Sequence, residues 1–470
     1  DKRALFMTSE DKKKEIQGLI KELAILEKQM NIYISQSYFN SQPIVSLNFF
    51  DPNKKVVDLI FKLSDILLIG ALTQSPVLLS GSSGSGKTLL AEQMAGFLFG
   101  TNGYARKNIT PDMNEQDFID IDFGVIKEGG TLKEAMTPDA LFDRPCLIID
   151  EANRAPPIVQ NRLMQILENN IDLKSKIIHA GISLQKNLYY HWNLLTLNYG
   201  VEYTGTSTVD RALKDRVTLD IPIDNFPPTL DDQIMMIRGS LVSDEVEKPE
   251  SIDNLIFLIY QKLDNIQLSL EAEALILYLS FTSNCVKSPT GSKYGVIFSP
   301  QYCKDQDCEY ARNPPLNEIC PYTYAPSNRI LRRLVHSAKG FSLLRHAKIV
   351  NYLKSLNDNE AIDKYLNLQD FDVTLEDVIS VAPVILNSKI SMNRDWVLNR
   401  FNGNILLACN HFLKIINQQL DYFMKNILEP LVSEMKGRDL SEKQKGIRKK
   451  ALQDDFHYKG LMKYVKQYLT

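Results

Sequence analysis

The sequence predicts an α/β fold in which a parallel sheet is covered by helices on both faces. Three observations lead to this class. A glycine-rich loop at residues 81–88 joins a short apolar run to a helix-forming segment, and short apolar runs then alternate with helical patterns. Two carboxylates, Asp150 and Glu151, directly follow one of the apolar runs. Because 470 residues exceed what one hydrophobic core supports, we expect several domains.

The composition excludes several broad classes of protein. With 44% hydrophobic and 24% charged residues, the chain is neither disordered nor fibrous. A net charge of -3 argues against a generic nucleic-acid coat, although local basic patches remain open. The best apolar stretch, residues 60–72, carries Lys62 and Asp65 and is too short to span a bilayer. Since no secretory signal opens the chain and its six cysteines fit reduced thiols, we expect a cytoplasmic protein.

The loop at residues 81–88 has the sequence and the context of a phosphate site. It matches G-x-x-x-x-G-K-[ST] at every fixed position, between the apolar run 77–79 and the helix-forming run 89–95. In such a loop, backbone N–H groups and the positive end of the following helix surround the α- and β-phosphates. Lys87 can reach the β- and γ-phosphates, and the Thr88 hydroxyl can ligate Mg²⁺. A flexible Gly/Ser turn would not need this Lys-Thr pair. The residues predicted to hold the nucleotide are Gly81, Ser82, Ser83, Gly84, Ser85, Gly86, Lys87, Thr88, Leu89 and Asp150.

The carboxylates after the apolar run 146–149 predict the catalytic half of the site. Asp150, at the end of the strand, can hold Mg²⁺ through water, while Glu151 can orient and polarise an attacking water. A second acid beside the metal-binding one suits hydrolysis, because a water must be activated when no acceptor hydroxyl is supplied. The alternative is a solvated turn, which the glycine loop about sixty residues earlier disfavours.

The N-terminal residues 1–45 predict a helix with one apolar stripe. We expect the stripe to pack on this protein or on a neighbouring subunit, since it covers too few heptads for a free coiled coil. Residues 43–52 are interpreted as a connector and residues 54–72 as a second amphipathic helix. The stripe consists of Ile16, Leu19, Ile20, Leu23, Leu26 and Met30.

Several segments carry a resemblance to a known family. Residues 150–157 resemble D-E-x-N-R-A-P-P, residues 110–117 T-P-D-x-x-x-x-D, residues 198–206 N-P-x-E-x-x-G-T, and residues 212–216 A-x-x-D-R. Residues 326–329 resemble an S-P-R-A turn, and residues 373–383 resemble V-T-P-E-D-V-x-x-V-A-P. The matches fall in the order found in MoxR-type AAA+ ATPases, which this sequence therefore resembles.

The resemblance implies a P-loop AAA+ core followed by an all-α lid, with extra helices at both ends. The first lid helix is expected at residues 229–242. The expected domains are an N-terminal helical segment at 1–45, the α/β ATPase core at 46–225, the helical lid at 226–390 with a cysteine-containing insertion at 282–325, and a C-terminal helical extension at 391–470.

The resemblance also implies catalytic roles beside that of Glu151. Asn198 matches sensor 1, which hydrogen-bonds the γ-phosphate or the attacking water, and Arg216 matches the arginine finger, which enters the site of the adjacent subunit. Arg211 is a second candidate for the finger. Arg329 matches sensor 2, a lid residue that contacts the γ-phosphate of its own or of a neighbouring site. The structural alternatives are a strand-end cap for Asn198 and solvated helix-end charges for Arg211 and Arg216.

Two segments of the core predict hairpins. Residues 121–141 contain a Gly-Gly turn, and residues 170–190 form the second candidate. In related hexamers such insertions project toward the central channel. Their lysines can contact a partner or polymer, or can merely keep a hairpin edge soluble. These lysines are Lys127, Lys133, Lys174, Lys176 and Lys186.

The insertion at residues 282–325 contains four of the six cysteines. A loop of this length with little periodicity is usually functional or separately stabilised. Four thiolates could bind a tetrahedral Zn²⁺, which would replace the core that so short a segment lacks. Free thiols and a disulfide remain open as alternatives. The four are Cys285, Cys303, Cys308 and Cys320.

The resemblance implies a ring-forming, hexameric ATPase that uses ATP and Mg²⁺ to remodel a protein partner in a chaperone-like role. A partner with a von Willebrand factor A domain is part of this expectation. A second hypothesis is an AAA+ motor that acts on nucleic acid, which requires basic residues concentrated on the channel hairpins. A third is a nucleotide-gated scaffold with negligible hydrolysis, against which Glu151, Asn198 and Arg216 argue.

Overall fold

A computed structural model describes ten stretches of the chain in two compact units. The first unit comprises Asp1–Gln267 and His336–Asp372, and the second comprises Leu268–Val335 and Val373–Thr470. Across the described residues, no helix combines the length and the apolar character that a membrane crossing requires. The described residues are 9–51, 54–121, 123–129, 136–138, 140–172, 177–198, 210–238, 252–281, 327–389 and 394–423, with the single residues 441, 442 and 445.

The described strands all belong to the first unit, and the described helices are divided between the two units. The strands are β1 (Val45–Phe50), β2 (Val56–Phe61), β3 (Val77–Gly81), β4 (Tyr104–Asn108), β5 (Ile119–Ile121), β6 (Met136–Pro138), β7 (Cys146–Asp150), β8 (Asn170–Asp172), β9 (Ile177–His179), β10 (Ile182–Gln185), β11 (Leu188–Tyr190), β12 (Trp192–Asn198) and β13 (Leu219–Pro222). The helices are α1 (Ser9–Ser35), α2 (Leu63–Leu72), α3 (Lys87–Phe99), α4 (Phe123–Lys127), α5 (Pro157–Leu167), α6 (Arg211–Arg216), α7 (Leu230–Arg238), α8 (Ile252–Lys262), α9 (Leu270–Phe281), α10 (Asn328–Ser355), α11 (Asn359–Leu368), α12 (Leu375–Leu386), α13 (Arg394–Phe401) and α14 (Ile405–Phe423).

A five-stranded sheet forms the centre of the first unit. Its strand order is β13-β3-β12-β7-β4, and every neighbouring pair is parallel. All residues of β3 and β7 are buried, as expected of parallel strands that are covered on both faces. Leu78, Ile149 and Leu195 share a core cluster with Leu163 of α5, while α3 packs against four strands of the same sheet. The predicted fold class, a parallel sheet flanked by helices and followed by a helical C-terminal region, is confirmed.

The N-terminal helix α1 packs against α2, α3 and α8, so the expectation that its apolar stripe packs on this protein is confirmed. A largely buried cation, Lys348 on α10, also holds α1 in place. Lys348 Nζ lies 2.6 Å from Glu27 Oε1 on α1 and 3.0 Å from Asp65 Oδ2 on α2. Because an unpaired buried charge is costly, this triad favours one placement of α1 on the core.

The interpretation of residues 43–72 was partly wrong. The supposed connector contains β1, and the first part of the supposed helix is β2, which pairs with β1 in antiparallel register from Val45↔Phe61 to Phe50↔Val56. In β2, exposed residues alternate with more buried ones, which is the period of a strand. Helix α2 exists but is not amphipathic, because every one of its residues is buried.

Short antiparallel pairs occur at both predicted hairpins. Strand β5 pairs with β6, and residues 170–190 contain two pairs, β8 with β9 and β10 with β11, where we expected one. Lys127 and Lys186 lie among the described residues. Lys133, Lys174 and Lys176 lie outside them, as do the four cysteines of the insertion.

The second unit is helical in its described part. Helices α9 and α14 both pack against α12, and α13 packs against α14. Helix α12 begins with a capping box: Thr374 Oγ1 accepts from Asp377 N at 3.3 Å, and Asp377 Oδ2 accepts from Thr374 N at 2.9 Å. The family-like motif at residues 373–383 is therefore, in this structure, a helix start signal. In the first unit, the helix expected at residues 229–242 is α7, which is described as Leu230–Arg238.

A buried histidine next to β12 makes stability depend on pH. Nδ1 of His191 donates to the Arg144 carbonyl at 2.8 Å, and burial lowers the pKa of His191 from 6.5 to about 4. Below pH 6.5 the unfolded chain binds a proton that the folded chain does not, so stability falls as the pH falls toward 4. For this group alone, the loss between pH 7 and pH 5 is about 2 kcal/mol.

We therefore expect His191→Asn, which keeps a donor but does not titrate, to lose less stability than the parent chain between pH 7 and pH 5. Urea unfolding at both values measures the difference. Equal losses in the two proteins would contradict a neutral buried His191.

Candidate nucleotide-binding site

The glycine loop connects β3 to α3 at the carboxyl ends of the sheet strands. Gly84 and Gly86 both have φ of 79°, a left-handed conformation that glycine adopts without steric cost. A Cβ on Gly86 would also lie 2.8 Å from Cε2 of Tyr38, so the site is closed to a side chain on two grounds. Helix α3 begins at Lys87, and its first N–H groups therefore have no acceptor within the helix. A loop followed by such N–H groups is an arrangement suited to an anion, and phosphate binding by these residues stays a prediction.

Lys87 lies folded over its own loop. Its Nζ donates to the carbonyls of Gly81 and Ser82 at 3.1 and 2.6 Å, and to Ser85 Oγ at 3.1 Å. Burial lowers the pKa of Lys87, while the charges of Asp224, Asp150 and Glu151 act in the opposite direction. The ammonium group is thus held at the loop by acceptors that phosphate oxygens could replace.

A carboxylate that the sequence analysis missed holds the start of the loop. Asp224, which follows β13, accepts from Ser82 N at 2.8 Å and from Ser82 Oγ at 3.0 Å. A Cβ on Gly81 would lie 2.8 Å from Asp224 Oδ1, so this contact requires glycine at that position. A single Asp beyond a strand gives no sequence signal for such a contact, since it depends on β13 lying beside β3.

The Asp150 carboxylate is the centre of a polar network at the ends of β7 and β12. Its Oδ1 accepts from the Thr88 hydroxyl at 3.0 Å and also from the Thr196 hydroxyl. Its Oδ2 pairs with Nη2 of Arg106 on β4, whose Nη1 lies 2.8 Å from Glu92 Oε1 on α3. The sequence analysis missed both Thr196 and Arg106. Burial opposes the charge on Arg106, but hydrogen bonds and charges from Glu92 and Asp150 raise its pKa above the ordinary value.

Glu151 and Asn198 lie in direct contact. Asn198 Nδ2 donates to Glu151 Oε1 at 3.1 Å, and Arg154 Nε lies 3.0 Å from Glu151 Oε2. Glu151 has φ of 55°, an uncommon conformation for a residue with a side chain, and its N–H donates to Thr196 Oγ1 at 3.0 Å. Strained backbone of this kind concentrates at functional sites. Each carboxylate oxygen of Glu151 has one fixed partner, and its remaining lone pairs can accept a hydrogen bond from a water.

The predicted arginine finger, Arg216, contacts other residues of its own unit. Arg216, at the end of α6, forms an ion pair with Glu168 at 3.0 Å and donates from Nη1 to the Ala212 carbonyl at 3.0 Å. The Arg216 Nε has no acceptor in hydrogen-bond geometry, so its contact with Glu168 is a charge contact only. Arg329 is exposed at the start of α10, in the second unit. The side chain of Arg211 lies outside the described part of the structure.

The residues at the loop fit Mg²⁺. The Thr88 hydroxyl donates a hydrogen bond to Asp150, so the lone pairs of its oxygen remain for a cation, and the second ligand group is the Asp150 carboxylate. Oxygen ligands of this kind, completed by waters and phosphates, are what Mg²⁺ binds in nucleotide sites. The described residues contain no cluster of three or more His, Cys, Asp or Glu side chains suited to a metal ion, and the four cysteines predicted to bind zinc lie outside them.

Comparisons with known proteins agree with this geometry. Residues 76–217 match the sequence model of the AAA domain, dynein-related subfamily. The crystal structure of a "putative ATPase" from Cytophaga hutchinsonii ATCC 33406 is similar, with a TM-score of 0.53 and 19% identity over 85% of this chain and 96% of that chain. At that identity, the likeness indicates a shared fold alone.

Two further comparisons add little. A full-length MCM homolog from Methanopyrus kandleri has a TM-score of 0.36 and 12% identity, over 70% of this chain and 55% of that chain, which is below the level that indicates a common fold. No curated protein matches the sequence.

The region that matches the AAA-domain model holds the glycine loop, Asp150, Glu151 and Asn198. Residues 76–217 are therefore an AAA domain, and the fold that contains them is the P-loop AAA+ α/β fold.

Proposed function

We propose that this protein is a cytoplasmic, ring-forming, MoxR-type AAA+ ATPase that hydrolyses ATP with Mg²⁺ and remodels a protein partner. One observation supports the proposal above the others. A series of hydrogen bonds runs from Thr88 to Asp150 and Thr196, from Thr196 to the backbone N–H of Glu151, and from the Glu151 carboxylate to Asn198. It joins the metal ligands of the loop to the acid and the amide that hydrolysis requires.

In this proposal the loop binds the phosphates and the two strand-end acids divide the chemistry. Thr88 and Asp150 would hold Mg²⁺, which neutralises charge on the β- and γ-phosphates. Asn198 and Arg154 hold the Glu151 carboxylate in place. From there it would accept the proton of the attacking water as the water oxygen bonds to the γ-phosphorus and the bond from that phosphorus to ADP breaks. Asn198 fixes the direction of that carboxylate, and the sequence resemblance implies that its amide would also hydrogen-bond the γ-phosphate or the attacking water.

Arg216 supports a shared site between subunits. Its described partners are Glu168 and Ala212 rather than the loop or the strand-end acids. An arginine finger that serves an adjacent subunit needs such a position outside its own site, where it can stabilise the charge of a neighbour's transferring phosphoryl group. A hexameric ring, a sensor 2 role for Arg329, and a partner with a von Willebrand factor A domain complete the proposal on the strength of the sequence resemblance.

The two halves of the site can be separated by mutation. Lys87→Ala should abolish ATP binding, because it removes the cation that meets the β- and γ-phosphates. Glu151→Gln should keep ATP bound but lower turnover by about 100-fold or more, since it removes only the base. Equilibrium binding of a fluorescent ATP analogue and phosphate release measure both effects. Normal turnover in the Glu151 variant would remove this residue from its proposed role.

A shared site predicts rescue between defective subunits. Arg216→Ala alone should lose turnover, and mixing it with Lys87→Ala subunits should restore part of it, because each variant supplies what the other lacks. Phosphate release from the mixture, beside each variant alone, measures the rescue. If the mixture remains as inactive as its components, either the finger is another residue or the ring does not form.

Zinc binding by Cys285, Cys303, Cys308 and Cys320 is a separate part of the proposal. Metal analysis of the purified chain should give about one zinc per chain, lost when Cys303 and Cys308 are both replaced by Ser. A metal content near zero in the parent chain would leave free thiols or a disulfide as the interpretation of this insertion.

A further inference from the structure

Arg106 joins two carboxylates from different elements, and neither the motif nor the proposed chemistry uses it. Its Nη2 pairs with Asp150 Oδ2 at the end of β7, and its Nη1 donates to Glu92 Oε1 on α3 at 2.8 Å. The parallel register of β4 and β7 sets Arg106 opposite Ile148, two residues before Asp150. Because side chains alternate along a strand, Arg106 and Asp150 lie on the same face of the sheet.

We propose that Arg106 is a positioning residue for the metal: its guanidinium fixes the carboxylate of Asp150 so that Oδ1 faces the Thr88 hydroxyl, and thereby sets the affinity of the site for nucleotide-bound Mg²⁺. This inference rests on the proposed function, since it assumes that Thr88 and Asp150 hold Mg²⁺. Partners of metal-binding carboxylates typically control metal affinity in this way.

Asp150 needs a partner on its second oxygen because the terminal torsion of its side chain is only weakly restricted. The terminal torsion of an Asp side chain has broad minima, so hydrogen bonds decide the plane of the carboxylate. The hydroxyls of Thr88 and Thr196 both bond to Oδ1 and restrain the torsion from that oxygen alone, which leaves Oδ2 without a hydroxyl partner from either residue. Arg106 supplies the bond on Oδ2 and therefore fixes the plane.

If Arg106 acted through its charge alone, its removal would tighten Mg²⁺ binding rather than weaken it. A guanidinium near Mg²⁺ repels it, but Glu92 neutralises Arg106, so the pair carries no net charge. Removing Arg106 leaves the Glu92 carboxylate uncompensated, which by Coulomb attraction should tighten Mg²⁺ binding. Loss of orientation should weaken it. The charge account and the orientation account therefore predict opposite changes in Mg²⁺ affinity, and the variant Arg106→Gln distinguishes them.

The experiment measures the affinity of the full chain for a fluorescent ATP analogue, first in EDTA and then over a Mg²⁺ series. For Arg106→Gln we expect the Mg²⁺ concentration at half-maximal gain in affinity to rise about 10-fold, with the affinity in EDTA nearly unchanged. Arg106→Lys should show the same direction, because an ammonium keeps the charge but lacks the planar fork that reaches two carboxylates.

The double variant Arg106→Gln with Glu92→Gln is the charge-matched control. Orientation predicts the same rise in required Mg²⁺ as in the single variant, whereas charge predicts the parental value. An unchanged or lower Mg²⁺ requirement in Arg106→Gln would overturn the inference, as would an equal loss of affinity in EDTA, which would mean a structural role only. A parent chain that binds the analogue normally while the variants match it would overturn this inference and leave the proposed function standing. A parent chain that binds no analogue would overturn both.

Discussion

The parallel register of three strands is the constraint on which the site depends. Strand β12 lies between β3 and β7, and its pairing sets Asn198 opposite Gly81 and Leu195 opposite Ile149. Because the strands are parallel, their carboxyl ends meet at one edge of the sheet. The glycine loop, the two acids and the amide come from three separate segments of the chain, and only this register brings them within hydrogen-bond distance.

A buried carboxylate at that edge explains the polar residues around it. Asp150 is almost completely buried, and a buried charge is tolerated only with hydrogen-bonded partners. Two hydroxyls and one guanidinium provide them, and each comes from a different element. The arrangement that stabilises the charge also orients it, so the same contacts serve the fold and the proposed metal site. Arg106 then extends the network to Glu92 on α3, the helix that begins at the loop.

In the N-terminal region, the periodicity of apolar residues led to a wrong prediction of secondary structure. Residues 54–61 are rich in apolar residues and precede a real helix, so the helical pattern of α2 was extended backward over β2. The strand is revealed by its antiparallel pairing with β1, which begins only two residues after Pro43. Over so few residues a period of two and a period of 3.6 fit the same apolar positions. Packing decides between them, because α2 is buried on all sides while β2 is exposed on one face.

The sequence by itself determined the features that are local: the loop at 81–88 with its left-handed glycines, the start of α3, the acids at a strand end, and the capping box at Thr374. Each depends on residues within a few positions of one another. Only the tertiary structure decided the partners of those residues. Thr196 lies 46 residues from Asp150, Arg106 lies 44 residues from it, and Asp224 lies 142 residues from Ser82. These contacts follow from strand order and register, which are set by the packing of the whole sheet and leave no periodic trace in the residues that make them.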